Sequence, residues 1–286
     1  MKVDLVMWTL NGEKTLPFVL SRINKVVPKE VVNQKLIVDD GSKDNTVTIA
    51  KKYGWDVIKN EGKGISDGAN TALKHVQTSY FCSFEQDVIL SIDWWNKVSA
   101  LIINKEGVGA ACGLRFLPKN NFCSSVEPYQ LTRKDVDFYG GYGKTLDNTI
   151  WSTEALRSIG GFPKVNFAGI DTFVFRLLES KGYKWLVDYD VKGLHLHYGG
   201  FLNEVKHYYF YGLSLPEIYS RLKKFCTIYE NENLSRLFIR FLKSPISSLK
   251  MSLKMHDSRL MFCYPIIRFC WLLGYIRGVS WQNISQ

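Results

Sequence analysis

Two pairs of acidic side chains in the N-terminal third of the chain have the residue types and spacing that suit chemistry at phosphate groups. Asp39 and Asp40 directly follow an apolar run. Glu85 and Asp87 are separated by one residue, so in an extended segment they project to the same side. Mg²⁺ and Mn²⁺ bind through one or two carboxylates together with substrate phosphates. The second pair therefore predicts a cation site, while each pair alone also fits a helix-capping turn or a solvated loop.

One later carboxylate and two histidines could contribute to the same chemistry. Asp171 opens a predicted helix, where it either complements the helix dipole or serves as a general base for an acceptor hydroxyl. His195 and His197 lie on one extended segment. Either could ligate a metal, and a hydrogen-bonded structural histidine fits the pattern equally well.

The elements that must position these residues alternate between strand and helix. Strands are predicted over Val3–Trp8, Lys35–Val38, Trp55–Ile58 and Tyr80–Phe84, and helices over Glu13–Val26, Asp44–Tyr53 and Gly64–Val76. This alternation predicts an α/β fold with a parallel sheet covered by helices. Ligands of such sheets bind beyond the carboxyl ends of the strands, which is where the acidic pairs fall.

The rest of the first 200 residues continues this pattern after a break. Residues 113–148 have weak periodicity and predict an irregular segment. Order returns with a strand over Thr149–Ser152, a helix over Thr153–Ile159, a helix over Asp171–Lys181, and strands over Trp185–Asp188 and Gly193–His197. We therefore predict one domain over residues 1–200 and a separate, basic and aromatic helical tail over residues 201–286.

The order of the motifs resembles one known family. Thr-Leu-Asn-Gly-Glu at 9–13 is followed by Val-Asp-Asp-Gly-Ser at 38–42, Gly-Ile-Ser-Asp-Gly-Ala-Asn at 64–70 and Glu-Gln-Asp at 85–87. Later come Leu-Arg-Ser-Ile-Gly-Gly-Phe-Pro at 156–163, Gly-Ile-Asp at 169–171 and His-Leu-His at 195–197. This succession resembles the family 2 glycosyltransferases, which are inverting enzymes of the GT-A fold. The resemblance covers about residues 3–200 and implies a mixed, mostly parallel sheet flanked by helices.

The resemblance also implies roles for individual residues. Thr9, Asn11 and Glu13 would line the nucleotide pocket, Asp39 would bind the base, and Asp40 would support the ribose side. The residues expected beside the nucleotide and donor sugar are Ser66, Asp67, Asn70, Glu85 and Gln86. Asp87 would be the direct ligand of Mg²⁺ or Mn²⁺, with Glu85 and His197 as further metal contacts.

The implied reaction is a single displacement. Asp171 would take the proton of the acceptor hydroxyl as it attacks the anomeric carbon, while the cation neutralises the leaving diphosphate. The donor would be a UDP- or GDP-type sugar, and the acceptor a lipid- or polymer-linked glycan.

Three departures from the family pattern stand out: Glu85-Gln86 in the metal motif, Ala69 in place of an arginine before Asn70, and Ile170 in place of an acid before Asp171.

Two other functions remain open at this point. A sugar-nucleotidyltransferase should carry a glycine-rich, Arg/Lys-bearing loop after the first strand, whereas Leu10–Lys14 contains one glycine and an acid. That function therefore ranks low. A catalytically silent nucleotide-sugar-binding protein is compatible with the altered metal motif at Glu85 and Gln86.

The charge of the chain is unevenly distributed. The formal net charge is +10 over 286 residues, with 46% hydrophobic and 22% charged residues, which excludes a disordered chain. Residues 1–200 hold 25 basic and 22 acidic residues, whereas residues 201–286 hold 12 and 5. The partner implied by the excess therefore belongs to the tail. An anionic membrane surface ranks first, a solvated or oligomer-forming appendage second, and nucleic acid last.

Hydropathy predicts how the tail would meet that membrane. Leu260–Ile267 and Phe269–Ile276 are too short to span a bilayer separately, and Pro265 and Arg268 interrupt them. Lys243, Lys250 and Lys254 share one helical face near leucines, which predicts a helix lying on the surface. The six cysteines lack metal-site spacing and predict reduced thiols. We therefore expect a cytoplasmic protein, peripheral on the cytoplasmic face of a membrane.

Overall fold

The computed structural model describes residues 1–116, 143–165, 168–196, 201–223 and 234–285, which fall into two compact units. The sheet unit comprises Met1–Phe116, Gly143–Lys164 and Leu177–Leu196. The helical unit comprises Leu117–Tyr142, Val165–Arg176 and His197–Gln286. The division of the chain at residue 200 into a catalytic domain and a tail stays a prediction.

The sheet unit is built on one mixed sheet. Its eight described strands lie in the order β3-β2-β1-β4-β7-β6-β8-β5, and only β7 and β5 run antiparallel to their neighbours. This confirms the predicted mixed, mostly parallel sheet. The strands are β1 (Val3–Thr9), β2 (Val32–Asp39), β3 (Asp56–Lys59), β4 (Tyr80–Glu85), β5 (Val88–Ile89), β6 (Val108–Phe116), β7 (Thr149–Ser152) and β8 (Lys184–His195).

Helices cover the sheet and bury its apolar residues. They are α1 (Leu16–Val26), α2 (Thr46–Lys52), α3 (Gly64–His75), α4 (Trp94–Ile102) and α5 (Thr153–Ser158). The core joins Leu20 of α1 and Trp94 of α4 to Met7 and Phe84 of the central strands. Every residue of β1 is buried, as expected of a central parallel strand with helices on both faces.

The described part of the helical unit consists of packed helices. They are α7 (Phe201–Leu222), α8 (Leu234–Leu242), α9 (Ser244–Met255) and α10 (Leu260–Ser285). The helix α6 (Ile170–Ser180) begins in this unit and ends in the sheet unit. The resulting C-terminal region is helical, as predicted.

The prediction of an irregular segment over 113–148 is wrong for the first residues of that segment. Residues 113–116 belong to β6, and residues 117–142 lie outside the described part of the chain. The β6 sequence lacks alternation because both its faces are buried and its small residues admit neighbours closely. A Cβ on Gly113 would meet the Val191 carbonyl at 2.8 Å.

Two further predictions for regular elements are wrong. The predicted strands near 185–188 and 193–197 form one strand, β8, whose pairing with β6 has an irregularity opposite Gly113 and Leu114.

Leu260–Ser285 is one continuous helix through Pro265, so the two apolar stretches are not separate. Among the described residues, Leu260–Ser280 is long and apolar enough to cross a membrane by length and composition, a criterion that core helices of soluble proteins also meet.

The expectation that all six cysteines are reduced is wrong, because Cys263 is in a disulfide. Cys82, Cys112 and Cys270 are free thiols, whereas Cys263 is disulfide-bonded. Burial raises the pKa of Cys112 to about 12, so this thiol stays protonated at neutral pH and is unsuited to nucleophilic chemistry.

Candidate active site

The ends of three neighbouring parallel strands define the candidate site. Thr9, at the end of β1, is in register with Asp39 at the end of β2, and Trp8 is in register with Glu85 at the end of β4. Asp39 and Glu85 are thus two strand spacings apart, or about 10 Å. This separation is of the order of that between the base and the diphosphate of a nucleoside diphosphate.

The two oxygens of Asp39 have different surroundings. Oδ2 accepts hydrogen bonds from the backbone N–H groups of Gly41 and Ser42, at 3.1 and 3.0 Å. Oδ1 is buried and has no hydrogen-bond partner in the described part of the chain. A buried acceptor without a partner is costly, so its presence at the strand ends indicates a ligand donor. The positive φ of Gly41 (+92°) allows the chain to turn back over the carboxylate.

Asn11 and Glu13 hold the loop after β1 against the loop after β2. The backbone N–H of Asn11 donates to Ser42 Oγ, and Asn11 Oδ1 accepts from the N–H of Lys43, each at 2.9 Å. Glu13 Oε2 accepts from the backbone and side-chain nitrogens of Asn45, each at 3.1 Å. The structure thus places both residues at the carboxyl ends of β1 and β2, where their contacts hold the two loops together.

Asp44 joins this network of hydrogen bonds. Its carboxylate accepts from the backbone N–H and hydroxyl of Thr46 and from the backbone N–H of Glu13. Desolvation acts to raise the pKa of Asp44, but these hydrogen bonds outweigh it and hold the pKa below its ordinary value. The carboxylate is therefore ionised at neutral pH and fixes the two loops together.

Asp40 joins the end of β2 to the loop before α3. Its Oδ1 accepts from Asn60 Nδ2 at 2.8 Å, and its Oδ2 accepts from the backbone N–H of Gly64 at 2.9 Å. Both oxygens therefore have a protein donor. If Asp40 supports the ribose as predicted, it would do so by fixing the position of the loop before α3.

The polar residues of α3 bind the turn that follows α5. Asn70 pairs with the backbone of Phe162 in both directions, at 2.7 and 2.9 Å, and Ser66 Oγ donates to the Pro163 carbonyl. Asp67 forms an ion pair with Lys164 at 2.6 Å. The hydrogen bond from Lys164 is the main cause that lowers the pKa of Asp67. Ser66, Asp67 and Asn70 are therefore brought together, and their described contacts anchor this turn.

Gln86 connects the ends of β1 and β4. Its side-chain amide accepts from the Leu10 N–H at 3.0 Å and donates to the Leu10 carbonyl at 3.1 Å, and it also accepts from the Thr9 hydroxyl. A Cβ on Gly12 would lie 2.6 Å from Gln86 Oε1, so Gly12 leaves the space that the amide needs. The middle residue of the acidic motif thus fixes the loop beside it.

Glu85, Asp87 and His195 form a cluster whose ligand atoms all lie within 4.8 Å of one another. His195 Nε2 and Asp87 Oδ2 are 3.4 Å apart. The antiparallel pairing of β5 with β8 places His195 opposite Val88, and the Leu196 N–H donates to the Asp87 carbonyl at 2.7 Å. Two carboxylates and an imidazole at this spacing suit a divalent cation such as Mn²⁺ or Mg²⁺.

An arginine lies against this cluster from β6. Arg115 Nη1 is 3.7 Å from Glu85 Oε2 and 3.7 Å from Asp147 Oδ2. The Asp147 side chain is fully buried, so its charge requires a cationic neighbour. Arg115 therefore balances Asp147 and holds positive charge beside the cluster.

The remaining predicted residues are placed as follows. Asp171 lies in the first turn of α6, in the helical unit, and its catalytic role stays a prediction. His197 lies outside the described residues. The structure assigns the imidazole of the cluster to His195, which the sequence offered only as an alternative. Arg115 and Asp147 were missed because they fall in the segment predicted to be irregular.

Comparison with known proteins identifies the fold. The profile of glycosyl transferase family 2 matches residues 4–158, which is more than half of the chain. A mannosyltransferase from Pyrobaculum calidifontis, solved with GDP-Man and Mn²⁺, superposes with a TM-score of 0.70 at 13% identity, covering 97% of this chain and 87% of that one. No curated protein matches the chain.

Two other solved structures share the fold. Glucosyl-3-phosphoglycerate synthase from Mycobacterium tuberculosis, with Mg²⁺ and UDP, gives a TM-score of 0.57 at 16% identity over 78% of this chain and 79% of that one. S. aureus TarS 1–349, with UDP-GlcNAc, gives 0.57 at 14% identity over 99% and 92%. Mn²⁺ and Mg²⁺ are bound in two of these related structures, and the Glu85, Asp87 and His195 cluster is where this chain could hold the predicted Mg²⁺ or Mn²⁺ cofactor.

Proposed function

Since the chain belongs to glycosyl transferase family 2, we propose that it moves a sugar from a UDP- or GDP-type donor to a hydroxyl of a lipid- or polymer-linked acceptor. The observation that carries this proposal is the cluster of Glu85, Asp87 and His195 at the carboxyl ends of the strands. Donor diphosphates are held at such an edge by a cation and its carboxylate ligands.

The nucleotide base would bind at Asp39. Its buried Oδ1 needs a donor, and both uracil N3–H and guanine N1–H with the amino group supply one. Thr9, Asn11, Glu13 and Asp40 shape the pocket through their contacts with neighbouring loops. Ser66, Asp67 and Asn70 would lie beside the nucleotide and donor sugar, on a helix that their described contacts join to the turn at 162–164.

Glu85, Asp87 and His195 would hold the cation, which when bound neutralises charge on the leaving diphosphate. His195 is the histidine of this cluster among the described residues, and His197, which lies outside them, stays a predicted further metal contact. Arg115 would keep Glu85 in place beside the buried Asp147. Because Arg115 is also cationic, its charge adds to the field that favours a diphosphate here.

Asp171 would act as the general base. Its position in the first turn of α6 favours the ionised carboxylate through the helix dipole, so it can accept the proton of the acceptor hydroxyl. The hydroxyl oxygen then forms its bond to the anomeric carbon as the bond to the diphosphate breaks. Attack from the opposite face gives inversion in one displacement.

The tail would hold the enzyme at the cytoplasmic face of a membrane, where a lipid-linked acceptor is accessible. The support is the charge of residues 201–286, which hold 12 basic and 5 acidic residues. Residues 1–200 would then form the catalytic domain. We do not expect the protein to bind nucleic acid.

A ligand screen followed by turnover measurements tests the function. Thermal shifts with UDP-, GDP- and dTDP-sugars in the presence of Mn²⁺ should reveal one stabilising donor class, with a larger shift in Mn²⁺ than in EDTA. Wild-type protein should then hydrolyse or transfer that donor. Stabilisation without any turnover across acceptor extracts would instead indicate a silent nucleotide-sugar-binding protein.

A variant pair tests the base assignment. Asp171→Asn should lower transfer by about 10²- to 10⁴-fold while leaving donor affinity within about threefold, because the base acts only on the acceptor proton. Asp190→Asn, which changes an exposed carboxylate on β8, serves as the control and should keep wild-type turnover. Full transfer by Asp171→Asn would show that another group accepts the proton.

A further inference from the structure

The longest helix that the structure describes, α10, has an exposed apolar stripe on one face. Phe262, Ile266, Phe269, Leu273 and Ile276 of α10 follow one another at intervals of four and three residues, so they share a face. Their exposed fractions lie between 39% and 69%. Exposed apolar side chains that are continuous along a helix indicate an interaction surface.

The other face of α10 is already occupied within the helical unit. Cys263, Tyr264 and Ile267 pack with Met251 of α9 in one buried cluster. Further along, Gly274 and Gly278 lie directly against the backbone of α7. The stripe is therefore the side of α10 that points away from α7 and α9.

Helix α8 extends this apolar surface. The Phe241 ring lies 5.5 Å from Phe269 and 6.5 Å from Phe238, and Phe238 is half exposed. A chain of aromatic contacts thus connects α8 to the stripe on α10. We call the resulting surface the apolar patch: Phe238, Phe262, Ile266, Phe269, Leu273 and Ile276.

The charge of the same helices identifies the partner. Residues 234–285 contain eight Lys or Arg and a single acid, Asp257, which is paired with Arg259 at 2.7 Å. Two copies of this surface would repel each other, and nucleic acid would not require a stripe of five apolar side chains. An anionic lipid surface satisfies both the charge and the apolar patch.

We propose that the apolar patch inserts into the interface of an anionic bilayer, with α10 lying in the plane of the membrane. A helix that spans alone would meet lipid on every face, whereas α10 is packed on α7 and α9 along its other side. Its central Arg268 donates to the Tyr264 hydroxyl and lies 5.4 Å from the Trp271 ring. This inference rests on the proposed function, which places the enzyme at a membrane. It adds which surface of the protein contacts the membrane and how α10 is oriented there.

Flotation of the full-length protein with vesicles tests the patch. The probes are phosphatidylcholine vesicles with and without about 30 mol % phosphatidylglycerol. Phe262→Ser/Leu273→Ser should reduce partitioning onto the anionic vesicles at least about tenfold, because two inserted side chains are lost. The matched control is Phe18→Ser/Ile92→Ser, at exposed positions of the sheet unit, which should bind as wild type. Equal binding by both double variants would overturn the proposal.

Alkaline carbonate extraction tests the orientation. Protein lying in the interface should be released from the vesicles, whereas retention would show that α10 spans and would overturn the in-plane orientation. Donor binding is measured on the same samples by thermal shift with Mn²⁺. Vesicle binding without donor binding would refute the proposed function alone, and donor binding without vesicle binding would refute the membrane surface alone.

Discussion

At the scale of single residues, the two carboxylate oxygens of Asp39 differ. Oδ2 accepts hydrogen bonds within its own turn, whereas the buried Oδ1 has no hydrogen-bond donor in the described part of the chain. In the proposed complex the second oxygen accepts a hydrogen bond from the base. Asp39→Asn should weaken donor binding by about 10- to 100-fold, since a charged hydrogen bond is lost and an amide N–H faces the base N–H. Isothermal titration with UDP and GDP in Mn²⁺ measures the change.

The control for this variant is Asp44, a carboxylate in the same loops whose two oxygens both accept hydrogen bonds from the protein. Asp44→Asn weakens contacts with Thr46 and Glu13 and should leave donor affinity within about threefold of wild type. Similar losses in both variants would mean that loop order, and not a contact with the base, explains the effect of Asp39→Asn.

Asp44 also makes a prediction about pH. Its pKa is depressed in the folded state, so its contribution to stability is present above its unfolded pKa of about 4 and is lost as pH falls through the folded value. The melting temperature of Asp44→Asn should lie below that of wild type at neutral pH, and the gap should close in acid. A difference in melting temperature that stays constant down to about pH 3 would show that the Asp44 carboxylate does not stabilise the fold through its charge. Asp190→Asn serves as the control.

At the scale of elements, the short β5–β8 pairing completes the candidate metal site by bringing His195 beside Asp87. His195→Ala should weaken Mn²⁺ binding in the presence of UDP at least about tenfold, because one of three protein ligands is removed. Electron paramagnetic resonance titration of free Mn²⁺ measures it. His75→Ala, at an exposed position ending α3, should bind Mn²⁺ like wild type; unchanged affinity in His195→Ala would exclude this histidine as a ligand.

Local sequence predicted the strands and helices up to α3 within a few residues, because alternating apolar runs and glycine-rich turns specify them. It placed Asp39 and Glu85 at strand ends for the same reason. It missed Arg115 because β6 consists largely of small residues that are buried on both faces. It left His195 and His197 undecided because the choice depends on the register of β8 against β5, which is a tertiary contact.

The helix pair α7–α10 depends on glycine in a way that only the structure shows. Tyr209 lies opposite Gly274 and Leu213 opposite Gly278, so the two helices run in the same direction in close backbone contact. A Cβ on Gly274 would clash with the Tyr209 carbonyl oxygen, which cannot rotate away.

Gly274→Ala should therefore destabilise the protein by about 1–3 kcal/mol from overpacking, partly offset by up to about 1 kcal/mol of helix propensity. Urea unfolding followed by tryptophan fluorescence measures the difference. Ser280→Ala, on the exposed side of the same helix, is the control and should change stability by less than about 0.5 kcal/mol. Stabilisation by Gly274→Ala would show that the helices can separate without cost.

At the scale of the whole molecule, charge separates two tasks. Residues 1–200 are nearly balanced, with 25 basic and 22 acidic residues, and there carboxylates with a cation would handle the phosphates. The tail holds most of the excess positive charge, which acts over a Debye length on a charged surface. Membrane binding should therefore depend on salt and on tail lysines, whereas donor binding should depend on short-range coordination.

Neutralising lysines in each region tests this separation. Lys243→Gln/Lys250→Gln, at exposed positions of the tail, should lower partitioning onto anionic vesicles by about fivefold per lysine, because each basic residue near such a surface contributes about 1 kcal/mol. Lys51→Gln/Lys52→Gln removes the same charge from exposed positions at the end of α2 and should leave partitioning within about twofold. Both variants should bind the donor with wild-type affinity in Mn²⁺. If the two pairs reduced vesicle binding equally, net charge alone would govern attachment, and the tail would have no special role in locating the enzyme.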